Sequence, residues 1–113
     1  MATWRPESVG KEIQGILSQL FQQELKDPRL GFVTITGVRM SRDLRTARVF
    51  ISVMGGEEDL EGTLEALDSA TAFLRRMVGQ RIRLRNVPEL FFAHDDSIAK
   101  GSRIDEILKD LKP

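Results

Sequence analysis

Apolar positions along this chain of 113 residues change period several times, and each change marks an element. From about Glu7 to Lys26, Val9, Ile13, Ile16, Leu17, Leu20 and Leu25 fall close to i, i+4, i+7, i+8 spacing. That spacing predicts a helix with one stripe against a core. Pro6 suits its first turn, and Asp27-Pro28 stops it, because proline disfavours the helical region for the residue before it. Phe32 to Met40 is β-rich: Val33 and Ile35 share a face, then the phase slips at Gly37 so that Val38 and Met40 continue the apolar row. A one-residue slip at a glycine predicts a bulge. Ser41-Arg42-Asp43-Leu44 reads as a hairpin connection. Thr46 to Met54 then alternates, with Ala47, Val49, Ile51 and Val53 on one face and Arg48, Phe50 and Ser52 on the other.

Gly55-Gly56 ends that strand, and a long helix is expected from about Glu58 to Val78, striped by Leu60, Leu64, Leu67, Leu74 and Val78. Its acidic first half and its Arg75-Arg76 end both complement the helix dipole. Gly79 is read as its stop. Arg81 to Arg85 alternates Arg-Ile-Arg-Leu-Arg, as a half-solvated strand does. Pro88, which cannot donate to a ladder, should mark the start or an edge of a third strand over Leu90 to His94. Ser97 to Lys112, with Ile98, Ile104, Ile107, Leu108 and Leu111, reads as a short helix interrupted near Gly101. The order is α-β-β-α-β-α, an α+β chain with no internal repeat and no dividing linker, expected to be one domain over residues 1–113.

Composition narrows the class. The apolar fraction of 41% and charged fraction of 30% are those of a folded globular protein. No apolar run approaches a membrane span, and the first residues lack the layout of a secretion signal. No cysteine is present, so disulfides and thiolate metal sites are excluded and a cytoplasmic location is expected. Formal charge cancels, 17 basic residues against 17 acidic, yet the signs are segregated. Glu57, Glu58, Asp59, Glu61, Glu65 and Asp68 form a stretch without a base; Arg75, Arg76, Arg81, Arg83 and Arg85 form one without an acid. Arg39, Arg42, Arg45 and Arg48 make a second basic cluster, diluted only by Asp43. A neutral total therefore hides a bipolar molecule, and a basic face is the electrostatic footprint of a polyanion partner.

Candidate chemistry follows from that segregation. On a strand, Arg81, Arg83 and Arg85 would share one face and, with Arg75 and Arg76, present guanidinium forks to phosphates. The competing reading is a strand face solubilised by arginine. Aromatic platforms are few: Trp4 and six phenylalanines, most of them on apolar stripes, so RNA binding would rely on backbone contacts. His94-Asp95-Asp96 is the one acid-plus-imidazole group. A single histidine without cysteine is too little for a metal site, and Asp95-Asp96-Ser97 suits caps before the last helix. No phosphate loop or nucleophile elbow is present, so neither catalysis, nor a metal, nor a cofactor is expected. No two glycines stand three apart, which excludes the Gly-x-x-Gly clamp of a standard KH module.

Taken in order, several segments resemble the ribosome-binding factor A family of bacterial small-subunit assembly factors. They are residues 25–31 (Leu25-Lys26-Asp27-Pro28-Arg29-Leu30-Gly31), Val33-Thr34-Ile35, Ser41-Arg42-Asp43-Leu44, residues 47–53, residues 69–75, residues 83–90, and Asp95-Asp96-Ser97 with Gly101. The ordered set spans roughly residues 5 to 108. The resemblance implies a type II KH-like fold, α-β-β-α(kink)α-β with a short C-terminal helix, in which an Ala-x-Gly kink between the two later helices replaces the Gly-x-x-Gly loop. Ala70-Thr71-Ala72 occupies that position. Ala72 stands where the family has glycine, and alanine, the better helix former by about 1 kcal/mol, favours a straighter helix.

The function implied is binding the immature small (30S) ribosomal subunit at its rRNA, late in maturation, and assisting rRNA 5′-end processing without cleaving it. Growth in the cold depends on such factors. The expected partners are the small subunit and its rRNA, with an assembly GTPase as a further candidate and no membrane; the chain is expected to be a monomer. The residues expected to carry RNA binding are Arg45, Arg48, Arg75, Arg76, Arg81, Arg83 and Arg85. The alternative is a protein-interaction module that docks a partner through its helices or a sheet edge.

Overall fold

The computed structural model describes residues 5–23 and 33–95. The order is α1 (Pro6–Gln23), β1 (Val33–Met40), β2 (Thr46–Val53), α2 (Glu57–Arg81) and β3 (Glu89–His94). The expected end of the first helix at Asp27-Pro28 and the expected helix over residues 97–112 lie outside the described residues. β1 and β2 form an antiparallel hairpin, and β3 joins β2 in parallel, giving the sheet order β1-β2-β3. The expected bulge is present: Ile35 pairs with Ile51 and Gly37 with Phe50, leaving Thr36 as the extra residue. That slip keeps Val33, Ile35, Val38 and Met40 on one face despite the change of phase.

Both helices cover the same face of the sheet. α1 lies over β1 and α2 over β3. Val9, Ile13, Leu17 and Leu20 of α1 meet Ala47, Val49 and Ile51 of β2 and Leu67, Leu74 and Val78 of α2 in one cluster, all fully buried. Pro6 opens α1 at the position where a missing N–H costs nothing. α1 approaches β1 so closely that a Cβ on Gly10 would sit 2.8 Å from the Val38 carbonyl oxygen. Gly55, at φ +133°, turns the chain from β2 into α2 in a conformation that L side chains rarely adopt. The Gly56 N–H donates to Asp59 Oδ2 at 3.0 Å, closing the first turn of α2, whose acidic Glu57, Glu58 and Asp59 favour the positive helix end.

Two expectations are corrected here. Gly79 does not stop α2, which continues to Arg81 and ends on the extended Ile82. Gly79 is instead where the returning chain presses on the helix: a Cβ there would lie 2.7 Å from a Val87 methyl. Arg81 to Arg85 is not a strand. Arg81 closes α2, and residues 82–88 form a connection outside the sheet, extended at Ile82 and bent at Arg85 and Asn86. The alternation persists, with Ile82 buried, Leu84 half-buried and the arginines exposed, because the two apolar side chains pack on the core while the guanidinium groups keep to water. The ladder position beside β2 belongs to Glu89–His94, one residue earlier than expected and directly after Pro88.

Candidate nucleic-acid interface

The connection between β1 and β2 is tied by its own polar side chains. Ser41 Oγ donates to Asp43 Oδ1 at 2.6 Å, and the Arg45 N–H donates to the same oxygen at 3.1 Å. The Thr46 N–H donates to Ser41 Oγ at 3.0 Å, and the Leu44 N–H to the Ser41 carbonyl at 3.0 Å. Leu44 takes φ 61°, the left-handed region, which costs a branched-chain residue about 1 kcal/mol or more. The Ser41 hydroxyl above all, then the Arg45 N–H, holds the Asp43 carboxyl below its ordinary value of 3.8, partial desolvation opposing them. The turn therefore carries a fixed carboxylate, with the exposed Arg45 side chain beside it.

The Arg45 carbonyl accepts the Glu89 N–H at 2.8 Å. This bond anchors the start of β3 beside the turn and draws the α2–β3 connection alongside. Between them opens a cleft of about 620 Å³ lined by Asp43, Leu44, Arg45, Leu84, Arg85 and Asn86. Two of the expected RNA-binding residues, Arg45 and Arg85, thus meet across one cleft although forty positions separate them in sequence.

The other arginines are distributed differently. Arg75 turns inward: Nε donates to the Pro88 carbonyl at 3.1 Å and Nη2 to the Val87 carbonyl at 3.0 Å, so its guanidinium buckles α2 to the entry of β3. Arg76 is exposed one residue on, its guanidinium carbon 5.7 Å from the centre of the Phe73 ring, a cation–π contact. Arg81 donates to Gln19 Oε1 of α1 at 3.3 Å and lines a shallow groove with Lys11, Glu12 and Gln19. Arg83 is exposed on the connection. Arg48 lies on the open face of the sheet, paired with Arg39 of β1 on one side and Phe91 of β3 on the other, Phe91 being 51% exposed.

Ala70-Thr71-Ala72 lies inside the continuous helix α2, with no break in the backbone pattern. Thr71 Oγ1 donates to the Leu67 carbonyl at 2.9 Å, a back-bond that competes with the helix ladder and favours a slight bend. Sequence reasoning did not count Arg39, Leu44, Leu84 or Asn86 among the binding residues. A connection confined to Ser41–Leu44 would set Arg39 opposite Thr46; Arg39 faces Arg48 because the turn closes on Ser41 and Thr46 instead. The cleft was not readable either, since it depends on where β3 docks.

The topology also separates the charges. β2 runs from the basic turn to Val53, and α2 starts from that far end with Glu57, Glu58 and Asp59. Eight residues of strand, about 25 Å, lie between the acidic opening of α2 and the arginine-lined cleft. Among the described residues no cluster of His, Cys, Asp or Glu could hold a metal ion, and no helix is long and apolar enough to cross a membrane.

Among the described residues, two helices on one face of a three-stranded sheet in the order α-β-β-α-β define an α+β fold of KH-like type. The sequence profile of the family Ribosome-binding factor A matches residues 5–108. The ribosome-binding factor A of Natranaerobius thermophilus is 44% identical over 111 residues, covering 98% of this chain and 85% of that protein. The crystal structure of ribosome-binding factor A from Thermus thermophilus superposes with a TM-score of 0.72 at 30% identity, covering 80% of this chain and 97% of that one. A homology model of the Thermus thermophilus factor, fitted into the cryo-EM map of its complex with the 30S subunit, superposes with a TM-score of 0.66 at 31% identity, covering 78% and 92%. This chain belongs to the ribosome-binding factor A family.

Proposed function

We propose that this chain, as one domain over residues 1–113, binds the immature small ribosomal subunit through its rRNA and assists late maturation, including rRNA 5′-end processing, without catalysing cleavage. The observation that carries the reading is the convergence of Arg45 and Arg85 on one cleft, at the pole opposite the acidic start of α2, in a chain of this family. Arg48 with Arg39 on the open sheet face, Arg76 and Arg83 on the surface, and Arg81 beside α1 extend the basic surface from which phosphates are engaged. Arg75 supports it from inside by fixing the connection that carries Arg83 and Arg85.

Binding alone suffices for assistance. A factor with higher affinity for one conformer of a folding rRNA junction shifts the population toward it, by no more than that difference in affinity. The factor acts as a cytoplasmic monomer, matters most in the cold, where RNA misfolds are longest-lived, and leaves when maturation, aided by an assembly GTPase, removes the favoured conformer. Crosslinking to small-subunit precursors, with the contacted nucleotides mapped, tests this: contacts should cluster at one rRNA region near the 5′ end or its partners, and precursor 5′ ends should accumulate in cells lacking the factor. Scattered contacts, or contacts to ribosomal proteins alone, contradict it.

The exposure of Phe91, at 51%, and of Met54, at 79%, favours a second reading, a module that docks a protein partner. Affinity that withstands high salt and is lost in Phe91→Ser would select it.

A further inference from the structure

We propose that the cleft between the β1–β2 turn and the α2–β3 connection seats one unpaired ribonucleotide. The inference rests on the RNA-binding reading above and assigns it a specific subsite. At about 620 Å³ the cleft falls within the range of sites that enclose a small ligand, and its lining divides as a nucleotide does. Arg45 and Arg85, from opposite walls, offer two guanidinium forks to the phosphates on either side of the nucleotide. Leu44 and Leu84 are half-buried and packed against the core, so they present a fixed apolar surface to the face of a base. Asn86 supplies one amide donor and acceptor, and Asp43 a carboxylate that can only accept.

The Asp43 carboxylate sets the preference. Its Oδ1 is occupied by the Ser41 hydroxyl and the Arg45 N–H, which hold it ionised and in place. An acceptor-only group at the base edge favours the exocyclic amino groups of adenine, cytosine and guanine over uracil, whose edge carries two carbonyls and a single N3–H donor. In a duplex those groups are engaged in pairing, so the cleft takes a base that is out of the stack. The turn is already held by its internal hydrogen bonds, and little ordering remains for binding to oppose.

The test uses the full chain and fluorescence anisotropy with short single-stranded oligoribonucleotides of A, C or U, the duplex of A with U, and free AMP as competitor. Binding to precursor small subunits is measured in parallel. The expected order is A and C tighter than U, and all single strands tighter than the duplex. Arg45→Gln and Arg85→Gln should each weaken single-strand binding about tenfold and flatten the log–log salt slope by about 0.7 per phosphate lost. Asp43→Asn, which keeps the oxygen held by Ser41 and the Arg45 N–H and turns the other into an amide donor, should weaken A and C more than U, while Glu61→Gln, in the acidic half of α2, serves as the unaffected control.

Wild-type affinity in both arginine variants, equal affinity for the duplex, or competition by free AMP at the oligomer's own concentration would overturn the proposal. Equal affinity for A, C and U overturns the role given to Asp43. If precursor subunits bind but the cleft variants hold single strands normally, the cleft fails and the RNA-binding function stands. If single strands bind through the cleft but precursor subunits do not bind, the ribosomal reading fails and the cleft stands. Both arginine side chains are exposed and line the cleft, and coincident thermal melts of the variants and wild type establish that folding is intact.

Discussion

Arg75 directs its guanidinium at the Val87 and Pro88 carbonyls, so its replacement should act on folding before it acts on RNA. Arg75→Ala removes two charge-assisted bonds at a half-buried site and should lower stability by about 1–2 kcal/mol in urea denaturation. The same change should leave the salt slope of RNA binding near that of the wild type, because the guanidinium is turned to the Val87 and Pro88 carbonyls. Asp43 gives the second prediction at this scale. Its pKa is depressed in the folded state, so the hydrogen-bonded turn is favoured above the ordinary carboxylate value of 3.8 and loses that support as pH falls through the lower folded value. Amide exchange at Leu44, Arg45 and Thr46, followed by NMR, should become less protected on acidification below pH 3.8 and stay constant above it. Loss of protection beginning near neutrality would show that another group holds the turn.

Elements rest on a few close approaches that periodicity does not encode. The stripes of α1 and α2, the bulge at Thr36 and the strand opened by Pro88 were legible because each follows from side-chain period or from a residue that cannot donate. Arg81 to Arg85 misled for the same reason: alternation identifies a segment with one side on the core, and only the neighbours decide whether it joins a ladder. Gly79 misled because glycine also marks a close approach, here by Val87. Gly10 makes the same point on α1, and Gly10→Ala should cost about 1–3 kcal/mol, since the added methyl meets backbone that cannot swing away. At the kink position Ala72→Gly should lower stability by about 0.5–1 kcal/mol and speed amide exchange in the middle of α2. If instead it raises affinity for precursor subunits, a bend in α2 is part of the bound state.

Across the whole molecule the bipolar charge pattern was readable in the sequence, whereas the grouping of the arginines was not. Proximity in sequence suggested that Arg75, Arg76, Arg81, Arg83 and Arg85 act as one row. Folding instead turns Arg75 inward, sends Arg81 to α1 and joins Arg85 to Arg45 across the sheet end. That regrouping depends on the parallel docking of β3 beside β2, a long-range event with no local signature. It also places the acidic start of α2 at the far end of the strands, so that under the proposed binding mode it would point away from the RNA. The central claim, that this basic pole binds the small-subunit precursor through rRNA phosphates, is tested most directly by the salt dependence of that affinity in the wild type and in an Arg45→Glu, Arg85→Glu double variant. The account predicts a log–log slope of about −3.5 to −4.5 for five phosphates in the wild type, and a weaker, flatter response in the variant. A salt-independent affinity, or a double variant that binds precursor subunits as the wild type does, would contradict it.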